Sequence, residues 1–350
     1  NESFGVIYLP IKTILDIDDY IKDIYRKDDT PIYTLNNISP IEASNVLDFQ
    51  NNPYLTLTGK NVILAIMDTG IDYLNTEFQK EDDTTRIIRI WDQTIDSENL
   101  VYGLKFGTEY TADQINEAIK LNKDGGDPYS IVPSKDTNGH GTMVAGLVGA
   151  RGKNPDLKGV APDADFIIVK LKEAGPDRLA LSGITKSGVL GYSGIEIESA
   201  IRYISIISSN LRRPVVLVCP FGTNTGSHDG TSFLSQAINI FANQAGAIPV
   251  VGTGNEGDTD THTEGIIENK GETQTIELKI GGGQKTISFS IWISRPDVMS
   301  LSIVSPSGEN IERIPAALGN NKDIKFVYEG TAMRIIYDLS DRVNGWERIT

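Results

Sequence analysis

The sequence predicts an α/β fold, a doubly wound parallel sheet followed by an inserted antiparallel β-sandwich at the C-terminal end. Short apolar runs rich in β-branched residues alternate with helix-like stretches of about a dozen residues, which is typical of a parallel sheet with helices on its faces. The predicted strands are 62–67, 166–171, 215–218 and 248–251, and the predicted helices between them include 195–207 and 233–245.

A different pattern begins after about residue 265. Apolar and polar residues alternate in short runs, glycine and proline mark the turns between them, and no helix-like stretch intervenes. Such a series is typical of an antiparallel β-sandwich. The predicted strands are 275–280, 286–293, 301–304, 325–328 and 333–337.

Composition limits the classes of function. The 39 % hydrophobic content supports a globular core, and the net charge of −15 disfavours nucleic acid and anionic membranes as partners. The single cysteine, Cys219, excludes an internal disulfide and any metal site built on paired thiolates. No apolar run approaches the roughly 20 residues of a membrane span. Because residue 1 is Asn, we expect the natural N-terminus to lie upstream, so the lack of a signal segment excludes nothing.

The strongest single signal is His140, which lies between two glycines where a polar loop gives way to an apolar run. Val144, Leu147 and Val148 recur at helical spacing and predict that the imidazole stands on the first turn of a buried helix. A base that transfers protons must be held in this way. The alternative is a histidine that only caps the helix.

Two further polar groups follow predicted strands. Asp68 comes directly after the run 62–67, at the strand end where open α/β sheets place their chemistry, although it could simply cap the next turn. Asn255 lies in the glycine-rich loop 252–257 and offers an amide donor to a developing negative charge. A phosphate cradle is the alternative for that loop, but the third glycine and the following helix of the dinucleotide fingerprint are missing.

Taken together, these motifs resemble the subtilisin-type serine proteases, whose functional groups occur in the order Asp, His, Asn and Ser. The resemblance covers roughly residues 38–260. It implies a subtilisin-like doubly wound sheet and rests on Met67-Asp68-Thr69-Gly70-Ile71-Asp72, Asn138-Gly139-His140-Gly141-Thr142-Met143-Val144-Ala145-Gly146, Gly159-Val160-Ala161-Pro162-Asp163-Ala164 and Gly254-Asn255-Glu256-Gly257.

The resemblance implies a role for each group. Asp68 would orient His140, His140 would take the proton of a serine, and Asn255 would bind the oxyanion. The partner would be a protein or peptide substrate, which adds a strand to exposed edges. Those edges fall near 171–174 and 220–222, so the candidate substrate-binding residues are Leu171, Pro220, Phe221 and Gly222.

The chain also departs from the family pattern. The Gly-Thr-Ser at 230–232 precedes Asn255 and continues into an apolar run, so we interpret Ser232 as a helix N-cap. No Gly-Thr-Ser-x-Ala-x-Pro follows Asn255, so the nucleophile is expected beyond residue 350, or the protein has none. The first case describes a serine endopeptidase and the second a catalytically inactive binding or regulatory protein. Pro220 stands where the family carries a serine, and proline cannot donate to an added strand.

Three regions are predicted: an N-terminal extension (1–36), an incomplete subtilisin-like domain (37–264) and an incomplete inserted β-sandwich (265–350). The extension, the insertion and a long acidic connection over 80–133 resemble the clostridial subtilases that include the Csp germination proteases. Those proteases cut a spore cortex-lytic precursor, and their branch also contains pseudoproteases. In that branch a cleaved pro-segment can stay bound, so residues 1–36 are candidates for the end of a pro-segment.

No metal ligand is predicted. Calcium is common in the wider family, but no matching ligand set is present, so no cofactor is assigned. The acidic run Glu81-Asp82-Asp83 is typical of a solvated loop. His228 and His262 lie in polar loops, and neither is given a role.

Overall fold

A computed structural model describes residues 44–97, 101–154, 157–184, 188–317, 321–341 and 344–350, together with the backbone of 32–35. The chain divides into two compact units. The second unit consists of Ala180–Thr185, Asn224–Gln236 and His262–Thr350, and the first contains the rest. The predicted extension 1–36 is therefore described only at its last few residues. In the described part of the chain, no helix is both long enough and apolar enough to cross a membrane.

The helices and the first unit's strands follow in chain order. The helices are α1 (Val46–Gln50), α2 (Ala112–Lys123), α3 (His140–Gly149), α4 (Pro176–Leu181), α5 (Gly194–Leu211) and α6 (Phe233–Ala242). The strands are β1 (Ile32–Leu35), β2 (Ile63–Asp68), β3 (Ile87–Asp92), β4 (Thr108–Thr111), β5 (Asp165–Lys170), β6 (Tyr192–Ser193), β7 (Val215–Cys219), β8 (Phe221–Gly222) and β9 (Ala247–Val251). Short 3₁₀ helices cover Thr76–Phe78 and Pro128–Ser130.

The main sheet of the first unit has six strands in the order β4-β3-β5-β2-β7-β9. All neighbours are parallel except β3 and β4, so the predicted parallel sheet is confirmed. Every residue of β2 is buried, which explains why its sequence is an unbroken apolar run and not an alternating one. The four predicted strands correspond to β2, β5, β7 and β9, and the predicted helices to α3, α5 and α6.

The interpretation of 80–133 as a long connection was wrong. This stretch contains β3, β4 and α2, and β3 lies inside the main sheet beside β5. The exposed acidic run 81–83 makes the stretch polar on average, so the mainly apolar run 87–91 that follows it was not recognised as a strand. Thr111 begins α2 with a capping box, since its hydroxyl and the Gln114 side chain each bond the other's backbone N–H.

β9 is an edge strand of this sheet and pairs with β7. Pro249 is tolerated within it because an edge strand does not need every backbone donor. Ile248, Val250 and Val251 are about half exposed, at 58, 49 and 57 %. This edge of the sheet is therefore apolar and uncovered by the described residues.

The second unit is built from antiparallel strands. They are β10 (Ile291–Ile293), β11 (Leu301–Val304), β12 (Asn310–Ile314), β13 (Asn321–Lys325), β14 (Ala332–Asp338) and β15 (Glu347–Ile349). They form one sheet in the order β10-β15-β14-β13 and a separate pair, β11-β12. Both contribute to one apolar core, and the Tyr337 hydroxyl joins them by accepting from Leu301 N–H and donating to the Ile314 carbonyl. The predicted antiparallel group is confirmed.

The individual strands of the second unit were predicted less accurately. The predicted strand 275–280 is not a strand, and Ile276, Leu278 and Ile280 are all about half exposed. Only the end of 286–293 pairs, as β10, and β13 ends where the predicted strand 325–328 begins. β12 and β15 were missed because their sequences are short and charged.

Candidate active site

Asp68 and His140 meet at the carboxyl end of the main sheet. Asp68 is the last residue of β2 and His140 the first of α3. The imidazole Nδ1 lies 3.0 Å from Asp68 Oδ1 and 2.9 Å from Oδ2, although 72 positions separate the residues. The Asp68 side chain is fully buried and that of His140 is 9 % exposed. The fold thus joins the two groups that the sequence singled out.

The protonation of this pair follows from its geometry. A carboxylate only accepts hydrogen bonds, so Nδ1 carries the ring proton and donates it to Asp68. The lone pair of the neutral imidazole is then on Nε2. Asp68 Oδ1 also accepts from the Thr69 backbone N–H at 2.6 Å, which holds the carboxylate in place.

Two glycines explain why α3 begins at His140. Gly139 has a φ of +90°, a left-handed conformation that glycine adopts without strain. A Cβ on Gly141 would lie 2.2 Å from the Gly70 carbonyl oxygen and 3.1 Å from Asp68 Cβ. Only glycine therefore lets the first turn of α3 approach the end of β2 closely enough for the imidazole to reach the carboxylate.

Asp136 is a further residue of the site to which the sequence motifs assigned no role. Its carboxylate accepts from the hydroxyls of Thr69 and Thr142 and from the backbone N–H groups of residues 138, 139 and 142. Burial alone would raise the pKa of Asp136, but hydrogen bonds from Thr142, Gly139 and Thr69 outweigh it and lower the pKa. A detectable signal was present, because an Asp shortly before a helix often bonds nearby backbone N–H groups.

A buried phenol lies near the pair. Burial raises the pKa of Tyr192 well above its usual range, and the negative charges of Asp68 and Glu173 add to the effect. The phenol is therefore neutral at neutral pH.

Asn255 is placed differently. It lies in the loop that follows β9 and is exposed. Gly252 N–H donates to the Cys219 carbonyl at 3.3 Å, which ties the start of this loop to the end of β7. No hydrogen bond among the described residues holds the Asn255 amide itself. The loop thus brings Asn255 to the carboxyl edge of the same sheet but leaves its side chain free to turn.

The two predicted substrate edges have different surroundings. Leu171 is 1 % exposed and its N–H donates to the Asp68 carbonyl at 2.8 Å. The residues after it are covered, since Ala174 N–H donates to the Gly191 carbonyl and Glu173 forms an antiparallel bridge with Tyr192. β6, which contains Tyr192, is consequently the outer strand on that side.

The other edge, at 220–222, is paired. Phe221 and Gly222 form β8, and the buried Pro220 precedes it outside the ladder. β1 lies between β6 and β8 and is antiparallel to both, with Tyr33 opposite Tyr192 and Thr34 opposite Gly222. Backbone from the predicted N-terminal extension is therefore the middle strand of a three-stranded sheet.

Ser232 is the N-cap that the sequence predicted. Its Oγ accepts from the Ser235 backbone N–H at 3.2 Å and lies 2.8 Å from the Ser235 hydroxyl, at the start of α6. Nearby in the same unit, His228 and His262 stack with ring centroids 4.9 Å apart, and both are exposed.

Calcium does not fit the buried carboxylate of Glu77 in the first unit. Glu77 Oε2 accepts from Gly152 N–H at 2.7 Å and from Lys153 N–H at 3.1 Å, and Oε1 accepts from Asn154 N–H at 2.7 Å. Burial raises its pKa, but these donors outweigh burial and lower it. The donors present positive charge to the position a cation would need. The described part of the chain has no group of three or more His, Cys, Asp or Glu that could hold a metal ion, and the assignment of no ligand stays a prediction.

Known proteins resemble this chain in both sequence and structure. It is 30 % identical over 207 residues to the major intracellular serine protease of Bacillus subtilis (strain 168), and 23 % identical over 290 residues to the PII-type proteinase of Lacticaseibacillus paracasei. These matches cover 59 and 81 % of this chain but only 46 and 14 % of the relatives. The chain thus spans less than half the length of these relatives.

A solved structure extends the likeness to most of the chain. The CspB protease of Clostridium perfringens is 28 % identical, with a TM-score of 0.68, over 88 % of this chain and 60 % of that protein. The Subtilase family model, Peptidase_S8, matches residues 59–291, which is more than half of the chain and includes Asp68, His140 and Asn255. With its parallel sheet and its Asp–His pair, the chain belongs to the subtilase family.

Proposed function

We propose that this chain is part of a serine endopeptidase in which Asp68 and His140 are two members of an Asp–His–Ser triad. One observation carries the proposal: the buried Asp68 carboxylate contacts His140 Nδ1 at 2.9–3.0 Å at the carboxyl edge of the sheet. The protein or peptide substrate follows from the family, and the net charge of −15 also disfavours a nucleic-acid partner.

Each group would have a defined task. His140 Nε2 takes the proton of the serine as the hydroxyl attacks the peptide carbonyl, and returns it to the leaving amine. Asp68 keeps the imidazole in the required tautomer and stabilises the imidazolium. Asn255 donates to the oxyanion, and its freedom to turn suits a group that engages only when the tetrahedral intermediate forms.

The serine is proposed to follow residue 350. In the printed sequence no Gly-Thr-Ser-x-Ala-x-Pro occurs after Asn255. Ser232 is a poor candidate, because its hydroxyl is engaged with Ser235 at the start of α6.

The N-terminal extension is proposed to occupy the substrate position. β1 is antiparallel to both β6 and β8, which is how a peptide substrate adds to two exposed edges. Pro220 does not block such docking, because the strand that pairs begins at Phe221. We further place the chain with the Csp-type subtilases, a placement supported by the likeness to CspB at a TM-score of 0.68.

Labelling with a fluorophosphonate tests the proposal. The chain, extended by the residues encoded after Thr350, is compared with His140→Ala and with Ser232→Ala as a matched control. We expect the wild type and Ser232→Ala to be labelled and His140→Ala to lose labelling. Thr34→Pro, which disrupts the β1–β8 ladder, should increase labelling if β1 occupies the substrate position.

Two results would contradict the proposal. Loss of labelling in Ser232→Ala would make Ser232 the nucleophile. A folded but unlabelled wild type, with Gly or Ala at the expected serine position, would assign the protein to the binding or regulatory alternative.

A further inference from the structure

The loop that precedes His140 contains a closed hydrogen-bond network. Thr69 Oγ1 accepts from Gly141 N–H at 2.9 Å and donates to Asp136 Oδ1 at 2.8 Å. Thr142 Oγ1 accepts from Asp72 N–H at 2.9 Å and donates to Asp136 Oδ2 at 2.6 Å. Each hydroxyl therefore links the turn after β2 to the start of α3, with the Asp136 carboxylate between them.

The direction of every bond in this network is fixed. Backbone N–H groups can only donate, so both hydroxyls must accept from them and pass their own protons to Asp136. The carboxylate receives three further backbone N–H groups, from Asn138, Gly139 and Thr142. All five partners of the carboxylate are donors, which suits the ionised form because it has no proton of its own. An amide would replace one oxygen by an NH₂ group, a donor that would face other donors.

Capping of α3 does not account for the network. A cap would explain the bond from Thr142 N–H, and the negative charge suits a helix N-terminus. It would not explain Thr69, which follows β2 and is 67 positions away from Asp136. The extra bonds join the turn after β2, which carries Asp68, to the start of α3, which carries His140; they are not bonds within the helix.

The residues before Asp136 are tied to the neighbouring strands. Ser134 Oγ donates to Asp92 Oδ2 at 2.6 Å, at the end of β3. Lys170, at the end of β5, donates from Nζ to the Lys135 carbonyl at 2.7 Å. Asp136 then bonds to Thr69 beside β2, so residues 134–136 cross the sheet edge with an anchor at three successive strands.

We propose that Asp136 is a positioning residue that acts through Thr69 and Thr142 to hold His140 against Asp68. This inference rests on the proposed function, since it concerns the proton-transfer pair of that reaction. Asp136 does not itself touch the reacting atoms. It sets the approach of α3 to the end of β2, and a displacement of about 1 Å there can cost on the order of 100-fold in turnover.

The test follows His140 directly, without any need for hydrolysis. The isotope-labelled 350-residue chain has three histidines, and His140→Ala identifies the His140 resonances. The Nδ1–H signal and the pKa of His140 are measured by NMR in Asp136→Asn, Thr142→Val and Thr142→Ser. Thr137→Val is the matched control, because Thr137 is exposed on the same loop.

Thr142→Val separates position from charge, since it removes the hydroxyl and leaves every carboxylate in place. We expect Asp136→Asn and Thr142→Val to weaken the Nδ1–H signal and to lower the pKa of His140, by about one unit or more if the contact with Asp68 is lost. Thr142→Ser should restore both, because it restores the hydroxyl. Thr137→Val should match the wild type.

The proposal is overturned if Thr142→Val, folded by circular dichroism, leaves the Nδ1–H signal and the pKa of His140 as they are in Thr137→Val. A fall in Asp136→Asn alone would assign the effect to charge and would also overturn it. In the extended, active chain, Asp136→Asn and Thr142→Val should each lower kcat at least tenfold with KM unchanged, whereas Thr142→Ser should keep kcat near the wild-type value. A chain without activity but with the expected NMR result would remove the proposed function and leave the positioning role intact.

Discussion

The proposed proton-transfer pair and the proposed oxyanion residue lie at the same edge of one sheet but are held in opposite ways. Asp68 and His140 are almost completely enclosed and are linked through side chains of both flanking segments. Asn255 is exposed on a loop, and no hydrogen bond among the described residues fixes its amide. A buried charge must be paired and bonded to be tolerated, whereas a neutral amide in water costs little.

This difference predicts that the two parts respond differently to mutation. Changes at the pair should affect stability, the state of His140 and catalysis together. Changes at Asn255 should affect catalysis alone. Activity is to be measured in the chain extended beyond Thr350, and stability and NMR signals in the 350-residue chain.

The largest effect is expected for Asp68→Asn. An amide here keeps the shape of the site but can hold His140 in the wrong tautomer, a change that lowers kcat by about 10⁴-fold in an Asp–His–Ser protease. Steady-state kinetics with a peptide substrate measure the loss. A decrease of less than tenfold would show that the Asp68–His140 contact does not serve catalysis.

Asn255→Ala should come next. Loss of one oxyanion donor costs about 10²- to 10³-fold in kcat in subtilisin itself, and that magnitude is carried over here. Because Asn255 is exposed, its stability change should stay within about 0.5 kcal/mol. Thr253→Ala, an exposed neighbour, serves as the control and should change neither quantity. A marked drop in Tm for Asn255→Ala would contradict the contrast with the buried pair.

Two glycines of α3 test how closely the helix must approach. Gly141→Ala places a Cβ 2.2 Å from the Gly70 carbonyl oxygen and should lower the free energy of unfolding by about 1–3 kcal/mol. Gly146→Ala meets nothing within 4 Å and should raise it by about 0.5–1 kcal/mol through helix propensity. Urea unfolding measures both. Equal effects at the two positions would mean that the approach at Gly141 is not tight.

The smallest expected effect is the pH dependence of stability due to Asp136. Its pKa is lowered in the folded chain, so its ionised form stabilises the fold above the unfolded pKa of about 3.9. That contribution disappears as the pH falls through the folded pKa. Asp136→Asn should therefore be less stable than the wild type near neutral pH and approach it in acid. Urea unfolding from neutral to acidic pH checks this, with the exposed Asp124→Asn as control; a difference from wild type that is independent of pH would contradict it.

The centre of the fold could be predicted because local signals and tertiary structure agree there. β2 is buried on both faces, so its unbroken apolar run predicted a central strand, and Asp68 could be recognised as the polar residue that ends it. His140 stood out in the sequence because Gly139 and Gly141 flank it, but only the structure shows that Gly141 allows the close approach of α3 to β2. The pairing of Asp68 with His140 was implied by the resemblance to the subtilisin-type proteases.

Other parts depend on contacts that sequence patterns do not specify. β3 was concealed by the acidic residues that precede it. The resemblance placed one substrate edge near residues 171–174. Because strand pairing is non-local, nothing in the sequence says that residues 191–192 cover 173–174. The alternating run 275–280 is typical of a strand, yet it has no partner strand in the described part of its unit. Asp136 was overlooked because its partner Thr69 lies 67 positions away in the sequence.

The uncovered margin of β9 also affects how the protein behaves in solution. A strand that presents Ile248, Val250 and Val251 to water and leaves backbone groups unpaired is a template for another strand. Preparations of these 350 residues are therefore expected to self-associate as the concentration rises, and a lysine at this margin would oppose it by electrostatic repulsion.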